Sequence, residues 1–281
     1  MVRTVPCLFC IILVLWIDGV IHAEGTADSA RTDSRQKDFP VLSILPTTFF
    51  SRFVGDSIRL DISLPAGYDV DTTKAYRILY LTDGHWRRNS HETIHGMSGD
   101  EKIPAVIIVG IGYPDGYDCN AIRVRDLVMQ PGNFLSCIKN EVIPFVEKKF
   151  CADSAHRTLW GSPFGGHFLI YAFTEHVNAG RLFTNYICAS AVLNPQFDHV
   201  DLLVNEQALW ETSRELPVNL YMTVGELEDR SLQKSFTAIA GAIDDHGYEG
   251  LRFIYEVIPK KDHMTVAVPS LLRGLVLFLN E

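Results

Sequence analysis

The sequence predicts an α/β protein with a mostly parallel central sheet, helices on both faces and an antiparallel N-terminal strand pair. Three observations carry this. Short, nearly continuous apolar runs recur between Tyr76 and Ile258, segments with helical spacing separate or follow them, and two earlier runs alternate apolar and polar residues instead. Continuous apolar strands alternating with helices imply a parallel sheet buried on both faces, whereas alternation marks a half-buried antiparallel pair.

The elements follow in order. "MVRTVPCLFCIILVLWIDGVIHA" has an early arginine, an apolar run from about Val5 to Trp16 and small residues ending at Ala23, the arrangement of a cleaved secretory signal peptide over residues 1–23. "EGTADSARTDSRQK", residues 24–37, contains no large apolar residue and is expected to be a disordered lead-in. One domain is expected over residues 38–281, since no repeat, linker or composition shift divides them. Within it, "VLSILPTTFF" and "SIRLDISLP" read as the antiparallel pair. "YRILYLTD", "AVIIVGIG", "RTLWG", "NYICASAV", "VNLYMTVG" and "RFIYEVI" read as parallel strands, and "NFLSCIKNEVIPFVEKKF", "GGHFLIYAFTEH", "SLQKSFTAIAGAIDDHG" and "SLLRGLVLFLNE" as helices.

Composition narrows the partners. A net charge of -9, with no block of Lys and Arg, argues against nucleic acid or an anionic membrane as a partner, and the expected partner is a small molecule. A signal peptide implies a secreted or periplasmic protein, off the membrane once the signal is cleaved. Outside the signal lie Cys119, Cys137, Cys151 and Cys188, which in an exported chain permit two disulfides in any of three connectivities. No cofactor motif is present.

On parallel sheets ligands bind beyond the carboxyl ends of the strands, so the segments there carry the chemistry. "LWGSPFGGHFLIYAF" reads as strand, sharp turn and helix, the context in which some hydrolases hold a nucleophile as G-x-S-x-G. Gly161 and Gly165 stand at the ends of that pattern, but its middle position is Pro163, and the adjacent serine is Ser162. "DHMTVAVPSLLRGLVLF" begins with His263 after the last strand, where a general base would sit, and "YMTVGELEDR" offers Glu226, Glu228 and Asp229 to orient it, Glu228 being preferred. Backbone amides of His85, in "LYLTDGHW", and of Phe164 could form an oxyanion hole. His85, His91 and His95 raise a metal reading because His91 and His95 are four apart, but that signal is treated as weak and no metal is expected.

Taken together, "ILYLTDGHW", "IPAVIIVGIGYP", "RVRDL", "WGSPFGGHFLIYAF", "VGELED" and "DHMTVAVPSLLRGLVLF" resemble the putative esterase family of α/β-hydrolases from about Phe39 to the C-terminus. That family includes ferric-siderophore (enterobactin) esterases and, more distantly, S-formylglutathione hydrolase and the mycolyltransferases. The resemblance implies the α/β-hydrolase fold and a triad of serine, acid and histidine. By position the histidine is His263, the acid Glu228, and the nucleophile position Pro163. It also directs attention to Asp83, Gly84, Arg123 and Asp126 as ligand-binding positions and to Ser190, the one match in a pocket stretch, "ASAVLNPQF", that lacks the family's proline and tryptophans.

Proline has no hydroxyl, and its ring fixes φ near about −65°, incompatible with the positive φ of a nucleophile turn. A slip to Ser162 would move the reacting oxygen by roughly 3 to 4 Å, one Cα step, and a residue before proline is pushed toward extended backbone. The expectation is an exported member with impaired catalysis that acts by binding a small ester or ester-like ligand. The alternative is an active carboxylic-ester hydrolase, siderophore-esterase-like, using Ser162, His263 and Glu228.

Overall fold

Eight strands form one sheet in the computed structural model, which describes residues 43–68, 74–193 and 201–280. The expected signal peptide and lead-in lie outside the described residues. In chain order the strands are β1 (Ile44–Ser51), β2 (Asp56–Ser63), β3 (Tyr76–Leu81), β4 (Val106–Gly112), β5 (Ala152–Gly161), β6 (Asn185–Ala189), β7 (Asn219–Gly225) and β8 (Arg252–Ile258). Their order across the sheet is β1-β2-β4-β3-β5-β6-β7-β8. β1 and β2 are antiparallel to each other, β2 is antiparallel to β4, and all remaining neighbours are parallel.

The helices are α1 (Arg88–Gly99), α2 (Cys119–Val124), α3 (Pro131–Cys137), α4 (Ile143–Lys149), α5 (Phe164–Thr174), α6 (Leu202–Thr212), α7 (Arg230–His246) and α8 (Ala267–Leu279). Wider π turns at Arg125–Met129 and Ile138–Val142 lie between α2 and α3 and between α3 and α4. The segment read as one helix from Asn133 to Phe150 is helical without a break to Lys149, with a π turn inside the run.

Burial explains the texture of the strands. Every residue of β4 and β6 is buried, which is why those runs lack polar alternation. Successive side chains of a strand point to opposite faces, and β3 shows it: Ile78 and Tyr80 join a core with Phe134, Phe168 and Phe173, while Leu79 and Leu81 join Ile94, Trp160, Leu271 and Phe278 on the other side. Each such fully buried side chain contributes about 1.5–3 kcal/mol.

Three helices escape the sequence pattern. α1, "RNSHETIHGMSG", buries only His91 and Ile94, so its inner face is half polar. α2 has six residues and one buried side chain, Arg123. α6 starts at Asp201, whose carboxylate caps the Leu203 and Val204 amides at 3.0 and 3.2 Å. The four cysteines are free thiols, Cys137 and Cys188 both buried, so none of the permitted disulfides is formed. Among the described residues no helix is long and apolar enough to cross a membrane.

Candidate active site

The turn after β5 keeps the tight packing of a nucleophile turn without its strain. A Cβ on Gly161 would lie 2.0 Å from the Gly165 carbonyl oxygen, and one on Gly165 would lie 1.9 Å from Thr82 Oγ1. Only glycine allows strand, helix and β3 end to approach this closely. Pro163, however, has φ −77° and ψ −40° and simply opens α5 in right-handed helical geometry. Neither Ser162 nor Pro163 is among the residues with positive φ. The strained tip is absent because proline cannot adopt it.

Across the sheet, three side chains from three strand ends meet. Glu228 follows β7, His263 follows β8 and Ser190 follows β6, and β6, β7 and β8 are adjacent in the sheet. His263 Nδ1 lies 2.9 Å from Glu228 Oε2, and the Ser190 hydroxyl donates to the same oxygen at 2.5 Å while lying 2.9 Å from Nδ1. The other carboxylate oxygen accepts the Gly225 amide at 2.8 Å. Ser190 reaches this position through a left-handed backbone, φ 49°. Burial opposes ionisation of Glu228, but the bonds from His263, Ser190 and Gly225 outweigh it and hold its carboxyl below the ordinary glutamate range.

A carboxylate on Nδ1 places the Nδ1 proton and leaves Nε2 as the basic nitrogen. That nitrogen has no hydrogen-bond partner among the described residues, and the His263 side chain is half-exposed. No hydrogen bond joins Ser162 to His263 among the described residues. Ser190 is fully buried and sits on the Nδ1 side of the imidazole, beside the carboxylate. The arrangement orders an imidazole against a carboxylate, and the turn after β5 carries Pro163 where the sequence pattern has its middle residue.

The turn after β3 is pinned by an ion pair. Asp83, at φ 55°, accepts two bonds from Arg123, at 2.8 and 2.5 Å. The same guanidinium lies over the rings of Trp86 and Phe164, at 4.9 and 4.7 Å. Asp83 and Arg123, read from sequence as ligand-binding positions, thus tie the β3 turn to α2 and to the start of α5. Asp126 is buried and bonded to Arg125 at 2.6 and 3.1 Å, so both carboxylate oxygens are already engaged. Gly84 is needed for packing: a Cβ there would lie 2.4 Å from the Gly110 carbonyl carbon. The His85 amide makes no hydrogen bond among the described residues, and Phe164 is the first residue of α5.

The weak metal reading of His91 and His95 assumed no H-E-x-x-H order, which is incorrect: His91-Glu92-Thr93-Ile94-His95 carries that order of zinc hydrolases. In the fold both imidazoles turn to one hydroxyl: Ser63 Oγ lies 2.7 Å from His91 Nδ1 and 2.9 Å from His95 Nε2. Glu92 is exposed. Among the described residues no cluster of three or more His, Cys, Asp and Glu side chains could hold a metal ion. Burial pushes both imidazoles down to about 4, so they are neutral near pH 7.

Sequence reasoning missed the contacts Ser190 makes with Glu228 and His263, although Ser190 stands at the carboxyl end of a parallel strand, which was the available signal.

Comparison with protein families matches residues 51–238, more than half of the chain, to the family described as "Putative esterase". Comparison with curated protein sequences gives no match. Among solved structures, an IroE-like serine hydrolase from Shewanella oneidensis is 22% identical with a TM-score of 0.73, over 85% of this chain and 80% of that one. The BES protein from Bacillus cereus is 22% identical with a TM-score of 0.71, over 83% and 94%. Siderophore hydrolase EstB from Aspergillus nidulans is 20% identical with a TM-score of 0.70, over 86% and 96%. These likenesses show the fold, an α/β-hydrolase. With the family match they establish that the chain belongs to the putative esterase family.

Proposed function

We propose that this chain is an exported family member that binds a small ester or ester-like ligand and no longer performs serine-dependent hydrolysis. The observation that carries the reading is Pro163, which stands in the nucleophile position in right-handed helical geometry and has no hydroxyl. The Glu228 and His263 pair supports retention of a polar ligand cleft, because both groups remain ordered by named hydrogen bonds. Siderophore hydrolases among the structural neighbours suggest the ligand class, an ester of a small organic acid. Export rests on the amino-terminal sequence "MVRTVPCLFCIILVLWIDGVIHA".

A second reading keeps one observation in its favour: Ser162 adjoins Pro163 in the same turn, and its hydroxyl makes no hydrogen bond among the described residues. In that reading Ser162, His263 and Glu228 act together after the turn is rebuilt on ligand binding, with the His85 and Phe164 amides as the oxyanion hole. Turnover of short-chain aryl esters by the mature protein, by Ser162→Ala and by His263→Ala separates the two. The proposal expects all three to be equally silent. Turnover by the native chain that disappears in Ser162→Ala establishes the second reading instead.

A further inference from the structure

Arg87, beside the turn after β3, has no carboxylate in ion-pair contact among the described residues. It follows the Gly84–Trp86 turn and precedes α1, and its guanidinium lies over the Trp160 ring at 4.6 Å. Nη2 donates to the Ser162 carbonyl at 3.2 Å. Nε is buried with no partner among the described residues, and the residue as a whole is half-buried. The nearest carboxylate, Asp83, is already engaged through both oxygens by Arg123. Asp61 is likewise engaged by Arg59 and Arg88. A guanidinium stays charged, and a half-buried charge without a partner is costly to keep. In a chain of net charge -9, an uncompensated arginine beside the nucleophile position is a local exception.

A cleft opens next to Arg87 in sequence. The first turn of α1 faces α8 across a small cleft lined by Asn89, Ser90, Val268 and Leu271, and α8 is the helix entered from the His263 loop. Planar guanidinium groups take planar oxyanions through two parallel hydrogen bonds. Arg87 and Arg123 against Asp83 leave one spare positive charge, which matches a singly charged carboxylate and leaves a doubly charged phosphate half unpaired.

We propose that Arg87 is an anion-binding residue that seats a carboxylate of the ligand beside Ser162 and Pro163. This deepens the ligand-binding function above and rests on it. The ligand then carries both an apolar or ester portion and a free carboxylate, as a half-hydrolysed ester or an acid product does.

The test uses the mature full chain at constant ionic strength, with affinities for benzoate, neutral methyl benzoate and inorganic phosphate taken from calorimetry and thermal shift. The native protein should bind benzoate in preference to phosphate. Arg87→Gln should weaken benzoate by about ten- to a hundredfold, the loss of a charge-assisted pair, and leave methyl benzoate unchanged. Arg87→Lys, which keeps the charge without the planar fork, should fall between them and guards against a fold defect in the glutamine variant. Equal benzoate affinity in native and both variants overturns the inference, as does tighter binding of phosphate. Methyl benzoate binding without benzoate binding overturns this inference alone, whereas failure of both ligands removes the ligand-binding reading beneath it.

Discussion

Lowering the pH should unfold this protein earlier than its carboxylates require, and His91 allows the effect to be sized. His91 is fully buried and bonded to Ser63, and burial depresses its imidazole from 6.5 to about 4. The unfolded chain therefore binds a proton at this residue between those two values while the folded chain does not. Stability is fully present above the unfolded value and falls as pH drops toward the folded one. Between about pH 7.5 and about pH 5 one such histidine accounts for about 2 kcal/mol. His95 carries the same direction, discounted because it is only half-buried, and its charge opposes that of His91. The assay is urea unfolding at a series of pH values for the native chain and His91→Asn. The variant starts less stable, but its slope over this window should be shallower by about 2 kcal/mol in total. Parallel native and variant curves would refute the reasoning, since they would mean that His91 is protonated alike in both states. Zinc addition should leave the native curve unchanged, because the two imidazoles already share Ser63 and no third ligand joins them.

Other perturbations test the remaining links. Ser190→Ala removes one donor from the Glu228 carboxylate and should cost about 1.5–3 kcal/mol by denaturant unfolding. A depressed carboxyl stabilises above its unfolded value and loses that contribution as pH falls through the folded one, so the acid midpoint of Ser190→Ala should move to higher pH. Gly165→Ala drives a methyl group onto Thr82 and should cost about 1–3 kcal/mol, read as a fall of about 2–4 °C in Tm per kcal/mol. Pro163→Ser restores a hydroxyl in a turn whose glycines already permit close packing. It should gain ester turnover that depends on His263, with about 0.4–1 kcal/mol lost from the more flexible unfolded chain, and an inert but folded variant would show that more than the nucleophile has gone.

Much of the fold was legible because burial on both faces leaves a direct trace. "AVIIVGIG" and "NYICASAV" cannot alternate when every position of β4 and β6 is covered. α1 left no such trace, since the side chain it turns inward besides Ile94 is His91, which any apolar pattern counts as polar. α2 is too short for periodicity to register, and its single inward residue is a charged one, Arg123. At the site, the chain order of Pro163, Glu228 and His263 was readable because each follows a strand end. What could not be read was that Arg123 would spend its charge on Asp83, or that Ser190 would turn to Glu228 and His263. The first depends on a contact across 40 residues, the second on a positive φ at a serine beyond β6.

The central claim is that the nucleophile position is chemically empty, and labelling of the native mature protein by a fluorophosphonate tests it most directly. Intact-mass measurement after prolonged exposure should show no phosphonyl adduct, while Pro163→Ser treated in parallel should gain one. A stoichiometric adduct on the native chain that maps to Ser162 would contradict the account and make the protein a working serine esterase.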